Sequence, residues 1–309
     1  MALHIVTGAG STGIATARLL ADRGERVRVV TRRGTGPEHP LVERVAADVT
    51  DPDTLAGLLD GARTLYNCAA PPYDQWRTAF PPLAASLLAA AERTGTDYVM
   101  LGNAYGYGLP HGPFTPGLPM APVSDKGRVR AAMWEDALAA HEAGRVRVAE
   151  VRASDFLAAD AISLFCLMVA PAARTGGAAV YPGGLDAPQS WSYTGDVART
   201  LVAVGDAHDR DEVWGRAWHV PSSVSTVRDL AARVAKAAGA AQPELTRMTA
   251  DQLAAAAAAD SIMGEVAEME YLYDDAFLLD ASETERVLGV AATDFDAVVR
   301  EVAGAAAGE

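Results

Sequence analysis

Short apolar runs alternate with stretches of helical periodicity through the first half of this 309-residue chain. His4–Thr7 is an apolar run of strand length, and Ile14–Leu20 repeats its apolar positions at the spacing of one helix face. After a break at Gly24, a second apolar run, Val27–Val30, completes a strand–helix–strand unit within Leu3–Arg33. The alternation continues with a strand at Val42–Ala46 and a helix over Asp53–Leu59, where Pro52 suits the first helical turn. Thr64–Asn67 predicts a strand, Phe80–Arg93 a long helix, Tyr98–Leu101 a strand, Lys126–Ala143 a helix and Val146–Arg152 a core strand. Strands and helices in this order predict an α/β fold with a doubly wound parallel sheet.

The second half is less regular. A Gly/Pro stretch, Gly176–Pro188, precedes a strand at Gln189–Tyr193 and a helix from Asp196. Trp214–Val220 reads as a strand, Thr226–Ala238 as a helix, and the alanine run Ala254–Ala259 as helix surface. We expect a dinucleotide-binding domain over residues 1–155. Residues 156–309 are expected to form mainly a smaller substrate lobe, with segments returning to the first domain. Between Gly102 and Asp125 the pattern lapses into Gly and Pro behind an aromatic start, Asn103–Gly108. A loop this long inside a compact domain usually has a functional use.

Gly8, Gly10 and Gly13 fall in GxGxxG spacing between the first strand and the first helix. Gly8 permits a tight turn, Gly10 lets backbone approach a pyrophosphate, and Gly13 lets helix and strand pack closely. The helix N-terminus adds unpaired N–H groups and partial positive charge. This context makes the sheet Rossmann-type and the ligand a dinucleotide. At the end of the second strand, where NAD-specific units place an acidic residue, stand Thr31, Arg32 and Arg33. A carboxylate would repel a 2′-phosphate, whereas two guanidiniums hold it, so NADP(H) is expected in preference to NAD(H).

Composition narrows the partners. The chain is half hydrophobic, enough for a sizeable core, and its net charge of −14 argues against nucleic acid and anionic membrane. Two distant cysteines, Cys68 and Cys166, imply neither a disulfide framework nor a zinc site, and point to a reducing, cytoplasmic compartment. The strand pattern begins at once, so no signal peptide is expected, and no apolar run reaches membrane-spanning length. His4, His39, His111, His141, His208 and His219 show no metal-ligand spacing, and no metal is expected.

This ordered set resembles the extended short-chain dehydrogenase/reductase family, the NAD(P)-dependent epimerase/dehydratase group. Thr7–Gly13, with Ser11 and Thr12 inside it, matches the glycine motif. Asp48-Val49 is similar to the family's adenine-contacting segment, and Asn67-Cys68-Ala69-Ala70 to the stretch that lines the cofactor. Arg152–Phe156 and Ser192–Ala198 resemble two later landmarks, one beside the nicotinamide and one opening a helix of the substrate lobe. The resemblance also leaves a homodimer open.

At the chemistry the chain departs from the family. The usual Tyr-x-x-x-Lys is absent; by spacing, Lys126 takes the tyrosine position, Arg130 the lysine position and Asn103 the serine position. Asn103 still offers an amide N–H to a developing oxyanion. Lys126 and Arg130 share one helix face, where the guanidinium would lower the lysine pKa and let Lys126 move the proton. Arg130 would hold a ribose or phosphate. Tyr105 or Tyr107 could instead supply the proton from the loop. Each of these residues also has a plain structural reading, as helix surface or packed loop. Tyr73 and Trp76 read as pocket lining or as core, and Glu268, Glu270, Tyr271 and Tyr273 as a solvated helix face.

The leading reading is an NADP(H)-dependent oxidoreductase acting on a small organic carbonyl or alcohol. A second keeps the fold without net redox, as an epimerase, dehydratase, isomerase or cyclase. A third, from another class, is a non-catalytic NADP-sensing binding protein of the NmrA kind.

Overall fold

The computed structural model describes residues 1–109 and 112–304; Pro110 and His111, both within the expected long loop, lie outside the described residues. The first half runs β1 (Leu3–Thr7), α1 (Ser11–Asp22), β2 (Arg26–Thr31), β3 (Val42–Ala46), α2 (Pro52–Leu59) and β4 (Ala62–Asn67). It continues through α3 (Trp76–Thr94), β5 (Asp97–Asn103), α4 (Asp125–Glu142) and β6 (Val148–Ala153). These six strands and Arg216–His219 form one sheet. Its order is Arg216–His219, β6, β5, β4, β1, β2, β3, and every neighbouring pair is parallel. The strand order reverses between β1 and β4, which opens a crevice at the carboxyl ends of the strands.

Both sheet faces are covered, which is why the central strands read as continuous apolar runs. On one face Val6, Val29, Val99 and Val151 pack with Leu20 of α1 and with Val197 and Leu201 of the helix Thr194–Asp206. On the other, Ile5, Leu65 and Met100 pack with Leu55, Phe80, Leu87 and Trp134 from α2, α3 and α4. Ile5 and Val6 sit side by side in β1 and feed opposite cores, as strand pleating requires.

The helix expected from Phe80 starts one turn earlier, at Trp76, so Pro81 and Pro82 lie inside it. Each proline lacks an N–H, and the carbonyls of Arg77 and Thr78 lose their helical donors. Burial of Trp76, Phe80, Leu83 and Leu87 on one face carries α3 through that break. Helix α4 begins where the side chain of Ser124 accepts the N–H of Gly127 at 3.1 Å, an N-cap.

The later segments build a second layer beside the crevice. Ser223–Ser225, Gln189–Tyr193 and Asp155–Leu157 form a small sheet, and Glu244–Arg247 pairs with Ala178–Tyr181. Leu157, Phe165, Trp191, Leu230, Val298 and Val302 form its core. Arg216–His219 leaves this layer to pair with β6. The alanine run lies in the helix Ala250–Ala259, opened by a capping box between Thr249 and Gln252, with only Leu253 buried. Among the described residues, no helix is long and apolar enough to cross a membrane.

Candidate functional site

The glycine loop has the geometry of a phosphate cradle. Gly8 has φ +88°, and a Cβ there would lie 2.8 Å from the backbone of Ala69. A Cβ on Gly13 would collide with the carbonyl of Gly8, so α1 can approach β1 only because that atom is missing. Around Gly10 nothing lies within 4 Å of the added carbon, and no side chain caps α1. The space is open where the first N–H groups of the helix point, which fits a pyrophosphate. Arg32 and Arg33 are exposed at the end of β2, and neither guanidinium is paired with a carboxylate among the described residues. Asp48 accepts from the Thr50 N–H at 3.0 Å and hydroxyl at 2.7 Å, which with the nearby charge of Arg32 holds its carboxyl below the usual range. Val49 is half-buried against α2 and its neighbours.

From this loop a cavity of about 300 Å³ runs into the second layer. Thr12, Cys68, Ala69 and Ala70 line its near end. Asn103, Tyr105, Arg130 and Asp155 surround its middle, while Ile262, Leu272, Tyr273 and Phe277 line its far end. Cys68 is buried enough that its thiol is pushed up to about 12, so it stays protonated.

Oδ1 of Asn103 accepts the N–H of Tyr105 at 3.1 Å. A backbone N–H can only donate, so this bond fixes the amide orientation and leaves Nδ2 as the donor, without a protein partner among the described residues. The Tyr105 hydroxyl stands 3.4 Å from that of Tyr73, and burial raises both phenols far above their ordinary value. Arg130 is stacked 4.5 Å from the ring centre of Trp76 and 4.4 Å from that of Phe80. It donates one bond, to the carbonyl of Leu101 at 3.3 Å, and its Nε is buried without a partner. Burial pulls its pKa below the usual guanidinium value, against the opposing charge of Glu150, but a guanidinium stays protonated at neutral pH.

Asp155 is the feature the sequence reading passed over. It lies two residues past the end of β6, at the start of the strand Asp155–Leu157 within the Arg152–Phe156 landmark, and burial pushes its carboxyl up to about 6. The available signal was a carboxylate set between a buried strand and the apolar Phe156-Leu157.

Two expected proton carriers lie elsewhere. Lys126 does not line the cavity: its ammonium pairs with Glu265, donates to the carbonyl of Tyr73 at 2.6 Å and sits 4.1 Å over the Tyr73 ring. One turn on, Arg130 turns to Trp76 and Phe80, so the shared helix face does not bring the two cations to one point. Tyr107 is buried in the core, away from the cavity. It accepts from Arg152 at 2.5 Å and meets Nε2 of His219 at 2.8 Å. Nδ1 of His219 lies 3.1 Å from the carbonyl of Asp280, which only accepts, so Nδ1 carries the proton and Nε2 receives the Tyr107 hydroxyl. Burial and the Arg152 charge lower His219 to about 3, and it is neutral; burial pushes Tyr107 up to about 12.

Tyr73 and Trp76 line the cavity. The acidic–aromatic segment expected as a solvated face is largely packed instead. Tyr273 is buried on the cavity wall, Glu268 accepts the N–H of Asp125 at 2.5 Å, and Tyr271 bonds Ser124 at 3.3 Å, while Glu270 pairs with Arg247. Asp125 and Ser124 begin α4, so this segment docks on the helix that carries Lys126 and Arg130.

A model of the NAD dependent epimerase/dehydratase family matches residues 4–218. Similar solved structures include a UDP-glucose 4-epimerase with UDP-glucose from Thermotoga maritima, at TM-score 0.77 and 13% identity, covering 98% of this chain and 97% of that one. A dTDP-glucose 4,6-dehydratase from Bacillus anthracis in complex with NAD is similar at TM-score 0.77 and 16% identity, covering 98% and 96%. A UDP-galactose 4-epimerase is similar at TM-score 0.74 and 20% identity, covering 97% of each chain. Among proteins of curated function none matches the chain by sequence.

Proposed function

Since this chain belongs to the NAD dependent epimerase/dehydratase family, we propose that it is an NADP(H)-dependent oxidoreductase acting on a small organic carbonyl or alcohol. The observation that carries this reading is one continuous cavity that starts at the glycine loop and passes Asn103, Tyr105 and Asp155 before it ends in the second layer. When bound, the nicotinamide supplies or accepts hydride. Gly8, Gly10, Ser11, Thr12 and Gly13 would hold the pyrophosphate, Arg32 and Arg33 the 2′-phosphate, Asp48 and Val49 the adenine, and Cys68, Ala69 and Ala70 the nicotinamide end.

The protein's own residues do the rest. Nδ2 of Asn103 donates to the substrate oxygen and stabilises charge as it builds there. Tyr105 moves the proton at that oxygen, with the Tyr73 hydroxyl as its hydrogen-bonded neighbour. Arg130 orients the ribose and supplies a fixed positive field beside the phenol, which favours its ionised form. Lys126 fastens the helix Ser261–Glu268 beside the cavity through Glu265, and Tyr107 supports the sheet through Arg152 and His219.

Fluorescence titration with NADPH and NADH, followed by absorbance at 340 nm with carbonyl substrates, tests the reading. Tight NADPH binding with net oxidation upholds it, and failure of both cofactors to bind overturns it. A second reading, epimerisation or dehydration without net redox, has support from the solved structures above, which are sugar-nucleotide epimerases and a dehydratase. Product formed without loss of NADPH would select it.

A further inference from the structure

The far end of the cavity offers little to an anion. Among the described lining residues Arg130 is the one cation, and it is sandwiched between Trp76 and Phe80. The polar side chains further out carry no charge. Gln189 donates to the carbonyl of Asp275 at 2.9 Å, while Ser190 accepts the N–H of Leu279 at 3.0 Å and Ser163 that of Cys166 at 3.2 Å, so the two serines keep only a neutral O–H each to offer a ligand. Asp155 adds a carboxyl to the same wall. A diphosphate entering here would lose its water and meet a carboxyl with no second cation to compensate its charge.

The mouth points the same way. Ile162, Leu167 and Ile262 line the cavity and yet are 76%, 60% and 40% exposed, an apolar rim facing water. Grouped exposed apolar side chains of this kind mark a surface that something apolar crosses or covers. Size sets the last limit: about 300 Å³ is at the low end of ligand pockets, which span roughly 300–1,000 Å³. The end near Thr12 and Cys68 belongs to the dinucleotide in the reading above, so only part of that space is left for substrate.

Resting on that dinucleotide-dependent reading, we infer that the substrate is a compact, uncharged, largely apolar carbonyl compound or alcohol, and not a nucleoside diphosphate sugar. It enters between Ile162, Leu167 and Ile262 and presents its one oxygen to Asn103 and Tyr105.

Calorimetric titration of the full chain with acetophenone and with UDP-glucose, each with and without saturating NADP⁺, tests this. Acetophenone is expected to bind saturably and at least about tenfold more tightly than UDP-glucose, a difference of about 1.4 kcal/mol. A Leu167→Asp, Ile262→Asp double variant, altered only at the exposed rim, is expected to weaken acetophenone by about tenfold or more while NADPH binds as before. The substrate class is overturned by UDP-glucose binding as tightly as acetophenone, by no saturable binding of acetophenone, or by acetophenone binding that ignores the rim variant. Loss of NADPH binding in the unaltered chain strikes the cofactor reading instead, and the comparison without NADP⁺ still decides the substrate class.

Discussion

The carboxylate of Glu265 closes on the ammonium of Lys126, and that pair fastens the helix Ser261–Glu268, with Val266 on its inner side and Ile262 at the rim, across the cavity. The lysine end is 1% exposed and the glutamate end 18%. Removing one partner from a buried pair leaves the other charge uncompensated. Lys126→Met is therefore expected to lower stability by about 3–5 kcal/mol in urea unfolding, and adding Glu265→Leu to restore most of it. A lysine that moved the substrate proton would behave otherwise, losing turnover with stability kept.

Tyr105 and Tyr107 are expected to separate cleanly. Tyr105→Phe removes the phenol on the cavity wall and should cut turnover by about 10²–10⁴-fold with the fold intact, measured as kcat beside a thermal melt. Tyr107→Phe strips Arg152 and His219 of a buried partner and should cost about 1–3 kcal/mol of stability while cofactor binding is unchanged.

Arg32→Ala and Arg33→Ala should weaken NADPH and spare NADH. A hydrogen bond to a charged group contributes about 1.5–3 kcal/mol, so a loss of roughly tenfold to a hundredfold per guanidinium is expected in fluorescence titration. Equal losses for both cofactors would mean that the arginines do not meet a 2′-phosphate.

The glycines make a paired prediction. Gly10→Ala adds a carbon where nothing in the protein lies within 4 Å, so the chain should melt as before and yet lose NADPH. Gly13→Ala drives that carbon into the Gly8 carbonyl, so stability and NADPH binding should fall together.

Asp155 predicts a pH dependence. Burial raises its carboxyl to about 6 from an ordinary 3.8, so the folded chain holds an extra proton between those values. With the folded value above the unfolded one, this group's contribution is full below pH ~4 and lost as pH rises through about 6. Asp155→Asn cannot titrate; against it the natural chain should lose up to ~3 kcal/mol across that window, read from urea unfolding at several pH values.

The strand–helix alternation and the glycine spacing were legible because they follow local rules. A buried strand is an apolar run, as Val27–Val30 is within β2. Strand-length segments bounded by turn residues also match end for end at the exposed edge strand Val42–Ala46 and at the more polar Gln189–Tyr193. The start of α3 was not, because Pro81-Pro82 reads locally as a beginning, and only the tertiary burial of Trp76 extends the helix past it. The site was legible in part for the same reason. Asn103 and Arg130 reach the cavity from positions that a spacing argument can find. Lys126 is turned aside by Glu265, which lies 139 residues further along the chain, and no local pattern announces such a partner. Asp155 was missed because its raised pKa comes from walls contributed by distant segments.

The strand Arg216–His219 is an edge of the main sheet, yet it arrives only after the chain has left β6 to trace Asp155–Leu157, Ala178–Tyr181 and Gln189–Tyr193 of the second layer. During synthesis, β6 must therefore wait as an open sheet edge, with Glu150 and Arg152 not yet enclosed, until the ribosome has delivered His219. Expression of residues 1–155 alone would leave that edge permanently unpaired, an invitation to self-association rather than a soluble half-molecule.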